Sequence, residues 1–570
     1  MSKYVPVVVL ACLIWLCIAA RLDPGGSYPR MPQGPGLTVD EVFNVQQGVY
    51  LIEQARVLGW LNLVPGASYE AYRAENGYNP DHPPLGRWWL GMHHHLAWWL
   101  FPPFEPDALW NTACARSGSA TALALTIILV GGFVTSRAGW RAGLFSALAL
   151  VSMPRVFGHA HLASLESITN FTCTVSVLVV AHLWNGPVAP TSRRAVAAGV
   201  ILGLALMTKI QAVLIPIPVI CWVLWRWRAR GLRPLMIWGG TAIATFFLLW
   251  PYLWDAPLAH GLEYLGRATN RATIYVWYWG QRFTDKEVPW HYPFVIFGLT
   301  VPVMLHLFGV AGVWQTLRNG LKSKWRPANT SRKGHGLEGR MAAVDPARQR
   351  DDGQSFEAAI VLILACALFP LVVFAVPGVA VYDGERLFLT SFPLWAILIG
   401  IGAESVWSLV AQATGRMWIA TSLCCSLFAV SAWPLVGTSP CHLVYENGLS
   451  LLLDQTADRS LFEVDYWGEG VTRELLFKVT EMAPQGATIA IAPALHQFQT
   501  DEYLRQSPIL RSHGMKVIGY DSNDRTTEYV LVFRRMADLP EEFLGDPSAQ
   551  IVAKTMVGGR LLAYLVKRAL

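Results

Sequence analysis

Eleven apolar runs divide this chain, and each must be buried in a core or in a bilayer. They fall at 4–20, 113–134, 142–154, 163–184, 195–208, 213–225, 234–253, 292–316, 357–376, 387–409 and 417–435. About 20 apolar residues cross a hydrocarbon core as a helix. The runs at 142–154, 195–208 and 213–225 are shorter and need flanking residues or shielding by neighbours. Composition agrees: 53% of the 570 residues are hydrophobic and 15% charged, against about 25% charged in soluble domains. Many of the 25 tryptophans sit near the ends of apolar runs, where amphipathic rings settle at a membrane interface. The expected fold is mainly α, a polytopic membrane helical bundle of about 11 transmembrane helices. The run at 4–20 reads as a retained first helix; the alternative is a signal peptide cleaved after Ala19-Ala20.

The loops set an orientation. With the N-terminus inside, the inner segments carry Arg137 and Arg141, Arg193 and Arg194, Arg226 through Arg233, the stretch 317–356 (Lys322, Lys324, Arg326, Arg332, Lys333, Arg340) and Arg416. All are basic, as the positive-inside rule requires. The expectation is a multi-pass protein of the cell (inner) membrane with a cytoplasmic N-terminus. The net charge of +6 is spread over these loops and is not a nucleic-acid footprint. The nine cysteines show no CxxC pair, so no disulfide framework is implied.

Two domains are expected. Residues 1–436 form the membrane domain. Within it, 21–112 is a first outer loop with interfacial helices at about Asp40 to Trp60 and Pro84 to Leu100, and 317–356 is a basic, disordered cytoplasmic loop. Residues 437–570 are less apolar and read as a small soluble extracytoplasmic α/β domain. Its strands lie at 487–492, 516–520 and 528–533, with a helix from Val464 to Met482. No internal repeat stands out.

On this topology Asp40, Glu41, Asp81, His82, Arg87, His159, His161, Glu166, Lys209, Gln211, Trp290, Asp383, Glu385 and Arg386 all fall at the outer boundary. Ionisable groups near hydrocarbon are costly and mark functional candidates. Each also has a plainer reading. Asp40-Glu41 alone is more simply the acidic first turn of a helix. Adjacent carboxylates on a helix diverge, so only one faces a substrate. Pro83-Pro84 start a helix, which leaves His82 unexplained. His82 can donate to a phosphate or ligate a metal. His159 and His161 fit an extended turn. Glu166, in the first outer turn of a span, requires a partner: His161, Lys209 or a divalent metal. Lys209 either snorkels or offers a point charge to a lipid-linked phosphate. In Tyr382-Asp383-Gly384-Glu385-Arg386, the arginine fork suits a phosphate or closes a salt-bridged turn. The run His93-His94-His95 fans around a helix and makes no three-histidine site.

Asp40-Glu41, His82-Pro83-Pro84-Leu85, Gly158-His159-Ala160-His161 through Glu166, Gly203 through Lys209, Trp250-Pro251-Tyr252-Leu253-Trp254, Pro289-Trp290-His291-Tyr292-Pro293 and Tyr382 through Arg386 occur in that order. The ordered set resembles the GT-C superfamily of membrane glycosyltransferases. The matching branch is the bacterial one of protein O-mannosyltransferases and lipid A aminoarabinose transferases. The resemblance covers roughly residues 5–435. It implies an inverting transfer of a hexosyl or pentosyl unit from a polyprenyl-phosphate sugar to an extracytoplasmic acceptor, which is a protein, lipid or glycan. The bilayer delivers the donor; no nucleic acid takes part. It implies Asp40 as the acceptor-activating base, with Glu41 and Glu166 as further catalytic candidates. Glu166 stands where many relatives have Asp. His82, Arg87, His159, His161, Lys209, Asp383 and Arg386 are the substrate and phosphate candidates. His82 stands where aminoarabinose transferases have Lys. A divalent metal is a candidate cofactor, with Glu41, His161 and Glu166 as its candidate ligands. One rival is a transporter or flippase of lipid-linked sugars, which should carry mid-bilayer charges and repeat symmetry. Another is an inactive scaffold displaying the C-terminal domain.

Overall fold

A computed structural model describes residues 2–59, 70–104, 109–269, 272–325, 346–453, 460–524, 526–544 and 550–568. Trp60 and residues 326–345 of the expected basic loop lie outside the described residues, Arg326, Arg332, Lys333 and Arg340 among them.

All the apolar runs are helical. In chain order the helices used below are α1 (Val5–Ala19), α2 (Glu41–Leu58), α3 (Pro84–Leu100), α4 (Thr112–Ala138), α5 (Trp140–Val151), α6 (Pro154–His159), α7 (Glu166–Leu183), α8 (Ser192–Leu206), α9 (Pro216–Trp227), α10 (Leu232–Leu249), α11 (Tyr292–Thr300), α12 (Val303–Trp325), α13 (Pro346–Phe374), α14 (Ser391–Thr414) and α15 (Met417–Ala432). Among the described residues, seven helical stretches are long and apolar enough to cross a membrane. The pair α11 and α12, bent by 110°, makes an eighth if it is one span.

One of the seven is Ile210–Leu249, 40 residues that hold both α9 and α10. Glycine packing gives their directions. A Cβ on Gly199 would meet Trp238 O at 2.5 Å, and one on Gly203 would meet Thr245 Cβ at 2.5 Å. Residue numbers therefore rise together along α8 and α10, which run parallel. The connecting α9 must return the opposite way.

Two segments depart from expectation. The loop at 317–356 is helical at both described ends, because α12 and α13 propagate beyond their apolar parts, each further residue adding a hydrogen bond without a new nucleus. The turn bearing His159 is not extended: Pro154, at the start of α6, sets helical φ there.

The basic turns gather at one end of the bundle. Arg137 Nη2 lies 3.2 Å from His182 Nδ1, Arg141 pairs with Glu404 at 2.9 Å, and Arg226 donates to Gly186 O at 3.1 Å. The start of α7, the end of α8 and the start of α14 lie together at the opposite end, joined by Glu166, Lys209 and Arg386.

Past α15 a five-stranded sheet forms. A hairpin precedes it in sequence, β1 (Tyr275–Tyr278) with β2 (Gln281–Thr284). The sheet contains β3 (Thr488–Ala492), β4 (Lys516–Gly519), β5 (Tyr529–Phe533), β6 (Ile551–Val557) and β7 (Arg560–Lys567), in the order β4-β3-β5-β7-β6. The first three pair in parallel; β7 and β6 are antiparallel. Period-two alternation splits its core. Ile489, Ile491, Leu531 and Phe533 bury on one face and Ala490, Ala492, Val530 and Val532 on the other. Strands β6 and β7 add to the three expected strands; Gly558-Gly559 between two apolar alternations is their hairpin signal.

The helix expected from Val464 starts only at Arg473. Asp465 captures the intervening backbone: Oδ1 accepts from Gly468 N at 2.7 Å and Oδ2 from Gly470 N at 2.9 Å. Such local side-chain acceptance competes with helix formation. Leu37 and Val42 of the first loop belong to the same buried cluster as Val471, Leu475 and Phe533. The sheet region is thus packed directly onto the segment that carries Asp40.

Candidate active site

Four helix ends bring the site together. Asp40 immediately precedes α2, Glu166 is the first residue of α7, Lys209 follows α8, and Arg386 opens a 3-10 turn, Arg386–Phe388, ahead of α14. Arg386 bridges three carboxylates. Its Nη2 donates to Asp40 Oδ2, its Nε to Glu166 Oε1 at 2.7 Å, and its Nη1 to Asp383 Oδ2 at 2.9 Å. Lys209 Nζ donates to the same Glu166 Oε1 at 2.5 Å. Of the three partners proposed for Glu166, the structure pairs it with Lys209, and Arg386 joins them. Asp40 keeps 26% of its side chain exposed, against 2% for Glu166. Asp40 is therefore the more accessible carboxylate, while Glu166 is enclosed between two cations.

A second layer fixes Arg386. Asp383, at φ 54, uses its other oxygen to meet Arg535 Nη2 at 3.2 Å. Glu385 is fully buried, taking Arg155 Nη1 at 2.6 Å, His159 Nε2 at 3.2 Å and the Tyr466 hydroxyl at 3.3 Å. His159 thus anchors the turn that presents Arg386. The face of Trp467 lies 4.7 Å from the Arg386 guanidinium carbon. Arg155, Arg535, Tyr466 and Trp467 were missed in the sequence. Only Arg155 left a signal, as a charge beside a candidate histidine turn; the other three lie in the C-terminal region.

Several candidates do not converge on this cluster. Glu41 points away and is wholly buried: Arg116 Nε reaches its Oε1 and Arg116 Nη2 its Oε2, both at 2.7 Å. Thr38 Oγ1 adds a bond at 3.0 Å and Ala163 N one at 2.6 Å. With both oxygens taken, Glu41 ties the first loop to α4 and is corrected from a catalytic to an architectural residue. Arg116, a lone charge inside an apolar run, was the missed signal. Arg87 is 1% exposed and donates to Asn79 O. It braces the turn before α3, and its Nε has no partner among the described residues. His161 binds Phe157 O at 2.9 Å and packs 5.3 Å from the His442 ring. The metal candidates Glu41, His161 and Glu166 therefore face different partners, and no group of three metal-ligating side chains occurs among the described residues. Of the histidine run, His95 meets Glu53 at 2.8 Å and His94 accepts from Asn111 N at 3.0 Å.

His82 faces the cationic side of the cluster. It makes no hydrogen bond among the described residues. Burial, then Lys209 and Arg87, hold its pKa well below the usual value, so it is neutral. Burial raises the Asp40 carboxyl above its ordinary range against the pull of Arg386. Burial also lowers the Lys209 ammonium, opposed by Glu166. Such perturbation by burial and specific charges is typical of working sites.

Beside the cluster opens an apolar cavity of about 240 Å³, lined among others by Leu51, Leu85, Trp88, Met207, Leu249 and Trp254. Leu85 lies three residues from His82, and Met207 two from Lys209.

Residues 42–255 match the model of the dolichyl-phosphate-mannose-protein mannosyltransferase family. This stretch contains His82, Glu166 and Lys209, starts just after Asp40 and ends before Arg386. No curated protein matches the chain. Among solved structures, ArnT from Cupriavidus metallidurans bound to undecaprenyl phosphate is 13% identical, with 99% of this chain and 97% of that chain covered and a TM-score of 0.45. Its apo form is 14% identical over 99% and 97%, with a TM-score of 0.46. The apo Archaeoglobus fulgidus oligosaccharyltransferase is 12% identical, covering 93% of this chain and 69% of that one, with a TM-score of 0.45.

Proposed function

We propose, from the premise that the chain is a membrane glycosyltransferase of GT-C type, that it moves a sugar from a polyprenyl-phosphate carrier to an acceptor hydroxyl outside the cytoplasm. The observation that carries this reading is the meeting of Asp40, Glu166, Lys209 and Arg386 beside an apolar cavity at one end of the bundle. The family's description supports a prenyl-linked donor.

Each part has a step. The prenyl chain lies in the cavity, and its phosphate displaces carboxylates from Lys209 and Arg386. The acceptor oxygen attacks the anomeric carbon while Asp40 takes its proton. The bond from that carbon to the phosphate oxygen breaks, and its electron pair leaves on the phosphate. Lys209 and Arg386 stabilise the growing charge. A phosphate needs no proton to leave, so the second acid of a glycosidase is not required. Attack opposite the leaving group inverts the anomeric centre. His82, neutral, is placed to hydrogen-bond the phosphate. The basic turns at the other end of the bundle support a cytoplasmic N-terminus.

The test is mass spectrometry of glycans, proteins and membrane lipids with and without the gene, paired with transfer from a synthetic polyprenyl-phosphate sugar. The reading predicts one lost sugar modification and its restoration by the wild-type chain. No change in any of the three pools would sink it.

A further inference from the structure

We propose that the C-terminal domain completes the active site, with Trp467 as the residue that positions Arg386 against Asp40. This rests on the transfer reading for what those two residues do. The nitrogens of Arg386 reach Asp40, Glu166 and Asp383. They lie in the single plane of a guanidinium, so whatever stacks on that plane fixes its tilt. The guanidinium carbon lies over the Trp467 ring at 4.7 Å, closer than to Tyr382 at 5.8 Å, and indole is the aromatic face that attracts a cation best.

The tryptophan packs with Leu162, Leu443 and Tyr466 and lies 5.3 Å from the His159 ring. It is 1% exposed, and its Nε1 has no hydrogen-bond partner among the described residues. Burying an unpaired N–H costs stability, and Phe or Leu would avoid that cost. What the ring offers Arg386 is its face.

The same residue also grips the segment that carries Asp40. Its carbonyl accepts from Val39 N at 3.1 Å, and Glu469 O accepts from Gly36 N at 2.8 Å. A Cβ on Gly36 would fall 2.2 Å from Val471 O, so only glycine lets the two backbones approach this closely. Tyr503 Oη closes the contact on Leu37 O at 2.8 Å. A second hold comes through Arg535, which meets Asp383 at 3.2 Å and Tyr466 O at 2.5 Å. Trp467 and Arg535 are positioning residues: both act through Arg386. The charged groups facing Asp40 are Arg386, Glu166, Asp383 and Lys209.

The experiment compares Trp467→Leu, Trp467→Phe and Arg535→Gln in the full chain in lipid nanodiscs. The first readout is carbodiimide labelling of Asp40 against pH, followed by peptide mass spectrometry, which needs no donor. An Asp40 that loses its cation holds its proton to higher pH. Trp467→Leu and Arg535→Gln should move the labelling midpoint up by about one pH unit. Trp467→Phe, which keeps an aromatic face, should stay near wild type. The second readout is steady-state transfer: the Leu and Gln variants should lose about tenfold in kcat, with a smaller change in donor KM. Inserted, protease-resistant Trp467→Leu with an unchanged midpoint and kcat overturns the proposal. If that variant does not insert, Arg535→Gln decides on the same criterion. A midpoint shift in preparations that transfer no sugar, wild type included, supports the positioning of Arg386 and sinks the transfer reading instead.

Discussion

Glu41 and Arg116 face each other through two parallel hydrogen bonds of 2.7 Å, with both side chains fully buried. Its neighbour Asp40 shares no part of this pair. Two adjacent carboxylates thus answer to different arginines, Glu41 to Arg116 and Asp40 to Arg386. Breaking a buried pair by removing one partner costs about 3–5 kcal/mol. Arg116→Met and Glu41→Gln should therefore lower the melting temperature and the yield of inserted protein. A stable Glu41→Gln that has lost transfer would return Glu41 to the chemistry.

Asp40→Asn should do the reverse. The side chain is a quarter exposed and the change is isosteric, so folding and insertion should hold. Removing a positioned base costs about 10²–10⁴-fold in rate. Wild-type transfer by purified Asp40→Asn would end its assignment as base.

Arg386→Lys keeps the charge and removes the fork. An ammonium cannot span Asp40, Glu166 and Asp383 as the guanidinium does. Transfer should fall at least about tenfold while the variant still inserts. Kinetics with a polyprenyl-phosphate sugar would check this, and near-normal kcat/KM would contradict it.

Two acid effects should separate. Burial raises the Asp40 pKa, so activity should fall as pH drops, with its midpoint above the free-aspartate value of about 3.9. Stability should fail for a different reason. His161 is held to about 4 by burial, so it stays neutral in the fold, whereas the unfolded chain takes its proton near ~6.5. Between those values the unfolded state binds more protons. Stability is therefore complete above ~6.5 and falls as pH drops toward 4, by about 3 kcal/mol from this residue. His442, also lowered by burial, adds in the same direction. Melting curves at pH 7.5, 6 and 5 should show the decline, and His161→Gln should flatten it.

Orientation has its own check. With the exposed native cysteines removed, Thr330→Cys should react with an impermeant reagent only from the cytoplasmic side. Labelling of intact cells from outside would invert the proposed topology.

What was legible in the sequence follows from what is local. The helices appear because apolar runs of the right length are local facts, and α3 begins at its proline pair. The association of Glu166 with Lys209 was one of three open choices, since a buried carboxylate demands a cation without naming it. Residue type alone does not tell Glu41 from Asp40, because both occupy one turn; the resemblance favours Asp40, and only the distant Arg116 shows what holds Glu41. The turn at 465–470 was read as helix because period and propensity say nothing about a side chain that captures the following amides. Trp467 and Arg535 were invisible for a plainer reason: they join the site from a part of the chain with no motif of its own.

Asp40 and Arg386 meet across 346 positions of chain, and Trp467 enters later still. A growing polypeptide therefore holds Asp40 long before it holds the arginine that pairs with it. The contacts on residues 36–39 from Trp467 and Glu469 can form only when nearly the whole chain exists. The cluster is thus among the last parts of the fold to close, and on the proposed reading transfer begins only with the finished chain.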